Sequence, residues 1–460
     1  MRPRRLAPLL VALLLYPLVT FAQRKPLFGT PFDAETTHRF VVPYEFHGAA
    51  NISWTLSESV EHGFTRPIYS LSFLVDYMIW GTDHRGYHLT DFILSWIVLA
   101  GLLYLLQKRL GAALAIAGLS LWALHPVQAY SMFPFTGRND RLLSLFVVAI
   151  LFLFDRAMTA GSLAKRNRLM LACLATAAIG YFSKETCLPY LALAFGWGWI
   201  ALERGFMKTL KQGWVLWVGG GALFLTLMLT RPLLSLGLPA EFVFGTRYFT
   251  QMGRLFFWGL PLDNAGYETA SGAVLIVLLT FCFLWRRVPR SIRFGAFMTI
   301  VALAPFPFVW IQRTFLWLPF VGVGIMLAGA MLRLYEQGRT WLIKSAAVAL
   351  AVVLAAGMAA WGRSEAYRIS APPIALKLAV AYMVENQSGP VYDLAPALEE
   401  YPAVADRIAN DRGSPADEKM PLYLEGLVQL GSRDADAELI WPNLESVSPG
   451  EPSPQPSAGL

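Results

Sequence analysis

The sequence predicts an all-α, polytopic membrane protein, and three observations support this prediction. Hydrophobic residues make up 56% of the 460 residues, charged residues only 15%, and the mean hydropathy is +0.48. A soluble domain is close to half apolar and a quarter charged. Long apolar stretches with few internal charges also recur along the chain. Finally, basic residues gather in every second connection between these stretches, which is typical of membrane topology.

The net charge of +7 does not indicate nucleic-acid binding. The basic residues lie in short clusters between apolar runs and do not form a continuous basic patch. The three cysteines lie within or at the ends of apolar segments, and their spacing is not that of a metal site. The sequence therefore identifies no metal ligands, although it leaves open whether a divalent metal takes part in the activity.

The first apolar run covers residues 6–22 and follows three arginines, Arg2, Arg4 and Arg5. A cleaved signal peptide has the same pattern, and the run is short for a membrane span. We predict an uncleaved first helix. With this helix as the first span and the N-terminus in the cytoplasm, the basic connections of the later spans all lie on the cytoplasmic side.

Ten further apolar stretches follow, so that the chain is expected to contain about eleven spans: 6–22, 87–106, 111–124, 142–155, 169–183, 188–202, 214–230, 271–285, 293–310, 315–334 and 343–361. With the N-terminus inside, five connections on that same side are basic: 108–109, 156–168, 204–211, 286–293 and 333–344. This is the positive-inside bias, repeated five times after the N-terminal arginines.

The opposite, non-cytoplasmic side is predicted to carry a long first outer loop, residues 23–86. Within this loop the semi-apolar piece Ile68 to Trp80 is too short to span and is expected to lie in the interface, as is a second piece, Tyr248 to Leu262. Residues 1–361 thus form the predicted transmembrane domain. Residues 362–445 are polar enough for a small soluble non-cytoplasmic region, and the Pro/Ser/Gly-rich residues 446–460 form a predicted disordered tail.

Two carboxylates, Asp33 and Glu35, follow the first span on the outer side. Two acids at this spacing can share a site, in which one accepts a proton while the other tunes it or holds a cation. An ordinary solvated loop has the same spacing, and the spacing alone favours that interpretation.

Several outer residues near span ends could also serve a site. His84, His88 and Asp91 begin the second span; their spacing suits a metal, but Gly86 and the helix start weaken that interpretation. An acid just inside an apolar helix is costly unless paired, so Asp91 is expected to have a partner. Pro126 ends the third span and leaves His125 at the membrane surface.

Outer cations stand at four further places: Arg66 before the interfacial piece, Arg138 with Asp140, Lys184 with Glu185, and Arg313 at the start of the tenth span. Arginine can bind phosphate through its planar guanidinium. Each place also has a structural interpretation: a helix-start pair for Arg138 and Asp140, a salt bridge for Lys184 and Glu185, and an arginine that snorkels to the interface for Arg313. Together these residues suit an enzyme that binds an anionic lipid headgroup and activates a hydroxyl acceptor.

Six short motifs in a fixed order resemble a known series of sequences: FTRPI at 64–68, GYH at 86–88, ALHPVQ at 123–128, GRND at 137–140, FSKET at 182–186 and QRTFLWLP at 312–319. Their order and spacing resemble the membrane portion of the transmembrane and tetratricopeptide-repeat O-mannosyltransferases and their bacterial relatives. These proteins belong to the GT-C superfamily of polyprenyl-phosphate-sugar-dependent glycosyltransferases. The resemblance covers roughly residues 25 to 335.

The resemblance implies a GT-C-like helical bundle that transfers a sugar from a polyprenyl-phosphate donor to a hydroxyl on the non-cytoplasmic face, with inversion. It implies that Asp33 or Glu35 is the catalytic base; the family usually has two adjacent carboxylates, whereas Ala34 separates them here. Arg138, Lys184 and Arg313 would stabilise the phosphate, and five residues would support the site: Arg66, His88, His125, Asp140 and Glu185.

The family's C-terminal tandem repeats are missing, so a protein or glycan acceptor remains open, as does the sugar. We expect a multi-pass protein of a bacterial inner membrane, with its site facing the periplasm or exterior. A transporter or flippase of a lipid-linked sugar and a catalytically silent scaffold are the alternatives. Transporters need charges or broken helices near the bilayer midplane, whereas here the charges lie at one surface.

Overall fold

A computed structural model of the chain describes residues 66–128, 137–230, 248–250, 252–253, 265–304, 316–338 and 340–361, together with the single residues 17, 44, 55 and 363. Three residues of the predicted site, Asp33, Glu35 and Arg313, lie outside the described residues, as do most of the first apolar run and most of the piece Tyr248 to Leu262. The described residues form helices and turns and contain no strand, as the all-α prediction requires.

The described helices follow the apolar stretches closely. They are α1 (Pro67–Trp80), α2 (His84–Leu110), α3 (Ala112–Leu124), α4 (Arg138–Met158), α5 (Leu163–Tyr181), α6 (Leu191–Gly196), α7 (Phe206–Gln212), α8 (Trp214–Thr230), α9 (Ala265–Leu284), α10 (Arg290–Leu303), α11 (Trp317–Gln337) and α12 (Trp341–Trp361). Among the described residues, α2, α11, α12 and Tyr267–Leu284 within α9 are both long and apolar enough to cross a membrane. α3 and α8 are shorter apolar helices.

The helix boundaries have local causes. Pro67 is the first residue of α1, where its missing N–H and fixed φ are favourable. The Asp83 carboxylate accepts a hydrogen bond from Arg85 N at 3.0 Å and so caps α2. Gly111, with φ of 102°, separates α2 from α3, and the Ser162 hydroxyl accepts a hydrogen bond from Lys165 N at the start of α5.

The predicted single span 188–202 is not one regular α-helix. A 3₁₀ turn, Glu185–Cys187, comes first, and α6 then passes into a π-helix, Trp197–Ala201. Pro189 supplies no backbone N–H, and Leu191 to Leu193 donate instead to carbonyls three residues earlier. The Tyr190 hydroxyl donates to Ala302 O of α10 at 3.0 Å, so tertiary contacts hold this irregular segment.

The helices pack as a bundle in which α4 contacts α2 and α5, α3 contacts α2 and α11, and α10 contacts α9 and α11. Small residues permit the closest approach. A Cβ added to Gly322 of α11 would lie 2.6 Å from Gly295 O of α10, and one added to Gly118 would lie 3.2 Å from Gly324 O. Such close approach through small residues is the usual way in which helices associate in membranes.

Helix α4 has a charged group at each end. Near its C-terminal end, Asp155 is buried and accepts hydrogen bonds from Lys108 at 2.7 Å, Arg109 at 2.6 Å and Trp197 Nε1 at 3.3 Å. Its N-terminal end carries Arg138. Arg138 and Asp155 are 17 residues apart, so the two charged groups lie about 25 Å apart along the helix, close to the thickness of the hydrocarbon core of a membrane.

By its internal contacts the chain divides into two units, Met1–Ser370 and Ala371–Leu460. All described residues belong to the first unit. The domain boundary predicted at residue 361, the disordered tail and the cytoplasmic N-terminus remain predictions.

Candidate active site

Four charged residues from three segments form two ion pairs near the N-terminal ends of α1 and α4. Arg66 precedes α1, Asp140 lies in the first turn of α4, and Lys184 and Glu185 lie in the connection after α5. Arg66 Nη2 is 2.8 Å from Glu185 Oε2, and Arg66 Nε is 3.2 and 3.1 Å from the two Glu185 oxygens. Lys184 Nζ is 2.5 Å from Asp140 Oδ1. We call these four residues the paired-charge cluster.

The pairing differs from that suggested by sequence proximity. Lys184 and Glu185 are neighbours in sequence, yet each pairs with a residue on another segment. The predicted helix-start pair of Arg138 with Asp140 is likewise replaced, because Asp140 accepts from Lys184. The structure thus brings Arg66, Asp140, Lys184 and Glu185 together, and does so across sequence separations of 119 and 44 residues.

The connection after α5 is held in place by backbone contacts. Ile68 N of α1 donates to Phe182 O at 3.1 Å, Lys184 N donates to Gly180 O at 3.1 Å, and the Ser183 hydroxyl donates to the same carbonyl at 2.7 Å. A Cβ added to Gly180 would meet Cys187 Sγ at 2.5 Å. Only glycine therefore lets the connection fold back on α5 and present its two charged residues.

Burial sets the electrostatics of the cluster. The side chains of Lys184 and Asp140 are only 4% and 9% exposed, whereas those of Arg66 and Glu185 are 20% and 15% exposed. Burial lowers the pKa of the Lys184 ammonium below its ordinary value, although Asp140 opposes this shift. Burial also acts to lower the pKa of Arg66, but the charge of Glu185 outweighs it and raises that pKa. In both pairs, the charged state of the cation therefore depends on the charge of its carboxylate partner.

A second set of charges lies beside the cluster and is fully buried. Arg138 Nη2 is 2.7 Å from Asp76 Oδ2 of α1, and its Nε is 2.7 Å from Asp91 Oδ1 of α2. Arg141 Nη2 is 2.8 Å from the second Asp91 oxygen. All four side chains are at most 2% exposed. We call Asp76, Asp91, Arg138 and Arg141 the buried network; it confirms that Asp91 has a partner.

Further contacts satisfy the Arg138 guanidinium. It donates to Ser72 O at 3.3 Å and Tyr87 O at 3.2 Å, and its Cζ lies 4.2 Å from the centre of the Phe73 ring. Asp76 in turn accepts a hydrogen bond from Thr90 at 2.7 Å. Arg138 was predicted to bind the donor phosphate; in the structure these contacts link it, from α4, to α1 and α2.

The two predicted histidines are buried in different surroundings. His88 is 1% exposed, and its ring centre lies 6.4 Å from that of His84. His125 Nδ1 accepts a hydrogen bond from Val127 N at 3.1 Å, and its ring packs 4.0 Å from that of Phe320. Burial lowers the pKa of His125 to about 3, so its imidazole is neutral at physiological pH.

Within the part of the chain that the structure describes, no group of three or more His, Cys, Asp or Glu side chains is placed to hold a metal ion. Sequence reasoning missed Asp76 and Arg141 as members of a charged group. Asp76 is the one acid in the semi-apolar piece Ile68 to Trp80, and Arg141 lies one helical turn after Arg138, so both carried a recognisable signal.

The described helices and their paired charges define an all-helical, multi-pass membrane protein with a polar site at one end of the bundle. No family model matches the chain. Over 89 residues it is 34% identical to protein O-mannosyl-transferase Tmtc1 of Drosophila melanogaster, a match that spans 18% of this chain and 10% of that protein. This local similarity confirms the predicted resemblance to the O-mannosyltransferases.

A crystal structure of ArnT from Cupriavidus metallidurans bound to undecaprenyl phosphate also aligns with the chain. The alignment covers 93% of this chain and 77% of that one, with 18% sequence identity and a TM-score of 0.39.

Proposed function

We propose that the chain is a membrane glycosyltransferase that moves a sugar from a polyprenyl-phosphate donor to a hydroxyl acceptor on the non-cytoplasmic face. The paired-charge cluster carries this proposal. It gathers two cations, Arg66 and Lys184, with two carboxylates at one end of a bundle of largely apolar helices. Buried ionisable groups in a membrane protein are costly and tend to mark sites, and the local similarity to an O-mannosyltransferase suggests the chemistry.

We assign the donor phosphate to Arg66, the more exposed cation of the cluster, together with Lys184. Arg66 and Glu185 are partly exposed, and Lys184, although only 4% exposed, is the chain neighbour of Glu185. Arg138 has no exposed surface and is held by two carboxylates, so we transfer its predicted role to Arg66. Arg313 remains the third predicted phosphate ligand.

In the proposed reaction, Asp33 or Glu35 accepts the proton of the acceptor hydroxyl. The acceptor oxygen attacks the anomeric carbon as the bond from that carbon to the phosphate oxygen breaks, and the configuration inverts. The polyprenyl phosphate leaves with the electron pair of the broken bond. Cations placed where this negative charge develops lower the barrier, because they are already oriented in a site of low dielectric.

The distribution of charge favours this chemistry over transport. In the described helices α2 to α5 and α8 to α12, each Asp, Glu, Lys, Arg and His lies within the first eight or the last five residues. A transporter for an anionic headgroup would need such groups near the bilayer midplane. The charges are instead placed for a reaction at the membrane surface.

The test uses the full-length protein in lipid nanodiscs with radiolabelled polyprenyl-phosphate mannose, glucose and galactose as donors. Candidate acceptors are added as membrane extract, and both labelled product and released polyprenyl phosphate are measured. We expect one donor to be consumed. Asp33→Asn and Glu35→Gln, made singly and together, should identify the base: the double variant should lose transfer and retain donor binding.

Two outcomes would contradict the proposal. Full transfer by the double carboxylate variant would remove the base assignment. Movement of an intact lipid-linked sugar across the bilayer of sealed vesicles, without transfer to any acceptor, would favour a flippase. Asp155→Asn, at the other end of α4, is the matched control and should leave transfer unchanged.

A further inference from the structure

The buried network joins three helices through charges that balance. Arg138 and Arg141 belong to α4, Asp76 to α1 and Asp91 to α2. Two cations face two carboxylates, so the set is neutral although it is fully buried. A buried ion pair contributes little net stability, but removing one partner is strongly unfavourable because the other charge is left uncompensated. Such a network is therefore better suited to fixing one arrangement of helices than to binding a ligand.

Helix α1 is the element that depends most on this network. It has only 14 residues, too few for a stable helix on its own. One of its faces makes little contact with protein, since Val75, Met78 and Ile79 are 53%, 68% and 62% exposed. On its other face, Phe73 and Asp76 contact Arg138. Its position is thus set by one buried face, on which Tyr69, Phe73 and Leu74 pack and Asp76 pairs with Arg138.

The same helix carries Arg66 at its beginning. Arg66 lies ten positions before Asp76, which corresponds to about 15 Å along a helix. The start of α1 is held by the bond from Ile68 N to Phe182 O, and its third turn is held by Arg138. These two attachments together fix the position and direction of α1, and with them the position from which the Arg66 side chain reaches Glu185.

We propose that Arg138 and Asp76 form a positioning pair, which holds α1 so that Arg66 meets the donor phosphate beside Lys184. This inference rests on the proposed function for the role of Arg66. It differs from the earlier expectation in that Arg138 does not touch the phosphate, and it adds Asp76 and Asp91 as residues on which donor binding depends.

The variant Asp76→Asn separates the two roles of Arg138 by the sign of its effect. If Arg138 bound the phosphate, removing a competing carboxylate would leave more of its charge for the ligand, and the Kd for a short probe, farnesyl phosphate, would fall. If Arg138 positions α1, the Kd for farnesyl phosphate rises. Loss of alignment in a site can reduce turnover by about 100-fold. We therefore expect kcat/KM of transfer to decrease by up to about 100-fold.

A charge-balanced variant separates loss of the pair from misfolding caused by an unpaired buried charge. Asp76→Asn with Arg138→Met removes one anion and one cation and leaves the pair of Arg141 with Asp91 intact. In the full-length protein without ligand, we expect faster amide hydrogen exchange in peptides covering 67–80 and 182–187. Exchange in α10 and α11 should stay at the wild-type rate. Asp155→Asn is the control for removal of a buried charge elsewhere in α4, and its exchange at 67–80 should not change.

The outcomes decide between the alternatives. Faster exchange at 67–80 together with a raised Kd supports the positioning pair. Wild-type exchange at 67–80 in the double variant overturns it, as does a lowered Kd in Asp76→Asn. If wild-type protein transfers no sugar from any donor, the proposed function fails, while exchange and farnesyl phosphate binding still decide whether the pair positions Arg66.

Discussion

Replacing Lys184 by methionine tests the proposed phosphate site most directly. Methionine retains most of the side-chain volume and removes only the charge and its hydrogen bonds. A hydrogen bond to a charged group contributes about 1.5–3 kcal/mol, and each 1.4 kcal/mol changes an affinity tenfold. The Kd for farnesyl phosphate should therefore rise by about 10- to 150-fold. Microscale thermophoresis of the purified full-length protein measures this change.

The partner variant Asp140→Asn should behave differently. The pKa of Lys184 is lowered by burial and held up chiefly by Asp140. The ammonium is present below this pKa and is lost as the pH rises through it. Without Asp140 the pKa falls further, so farnesyl phosphate binding should be lost at a lower pH than in the wild type. At a pH low enough to keep the ammonium charged, binding should be retained.

Stability separates these effects from simple unfolding. Lys184 and Asp140 are nearly buried, and removing one member of a buried pair costs about 3–5 kcal/mol. Both single variants should therefore melt at a lower temperature than the wild type. The double variant, Lys184→Met with Asp140→Asn, leaves no unpaired charge from this pair and should recover part of the loss. An unchanged Kd in Lys184→Met, or a binding profile of Asp140→Asn shifted to higher pH, would refute the reasoning.

Three further predictions concern the rest of the bundle. Asp155→Asn should lower the melting temperature, because Asp155 holds two cations and an indole at the far end of α4, and it should leave the Kd for farnesyl phosphate unchanged. Gly322→Ala places a Cβ 2.6 Å from a backbone oxygen of α10 and should cost about 1–3 kcal/mol by overpacking. Gly221→Ala, with no atom within 4 Å, is its control, and equal melting temperatures for the two variants would contradict the packing. Burial raises the pKa of Cys187 to about 12, and since the thiolate is the reactive form, a maleimide at pH 7.5 should label Cys187 only after denaturation in SDS, as mass spectrometry can determine.

The course of the helices could be predicted from sequence because lipid imposes a simple rule. Every backbone group in a span must be satisfied within the helix, and the side chains must be apolar over about 20 residues. The stretch 87–106 was therefore recognisable as a span, and the structure extends it to His84–Leu110. The irregular segment after Tyr181 was not predicted. Its course depends on Tyr190 reaching a carbonyl of α10, 112 residues away, and hydropathy carries no information about such contacts.

The members of the candidate site were predictable as residue types, but their partners were not. Arg66 pairs with Glu185 over 119 residues, and no local pattern selects this carboxylate over others on the same side. The one correct pairing prediction, that Asp91 has a partner, came from an energetic argument about an acid in an apolar helix. Asp76 gave a weaker signal, because a single acid is inexpensive in a helix expected to lie at the interface.

The outer cations looked equivalent in the sequence, and their burial distinguishes them. The paired-charge cluster and the buried network each contain two cations and two carboxylates, so neither set carries a net charge that would by itself attract a phosphate. The difference is access: the side chain of Arg66 is 20% exposed, whereas that of Arg138 is 0% exposed. A phosphate can approach Arg66 and share it with Glu185, while it could reach Arg138 only after α1 had separated from α4. In our proposals, arginine therefore binds the ligand in one set and positions a helix in the other, and the two roles are linked because Arg66 precedes α1 and Asp76 belongs to it.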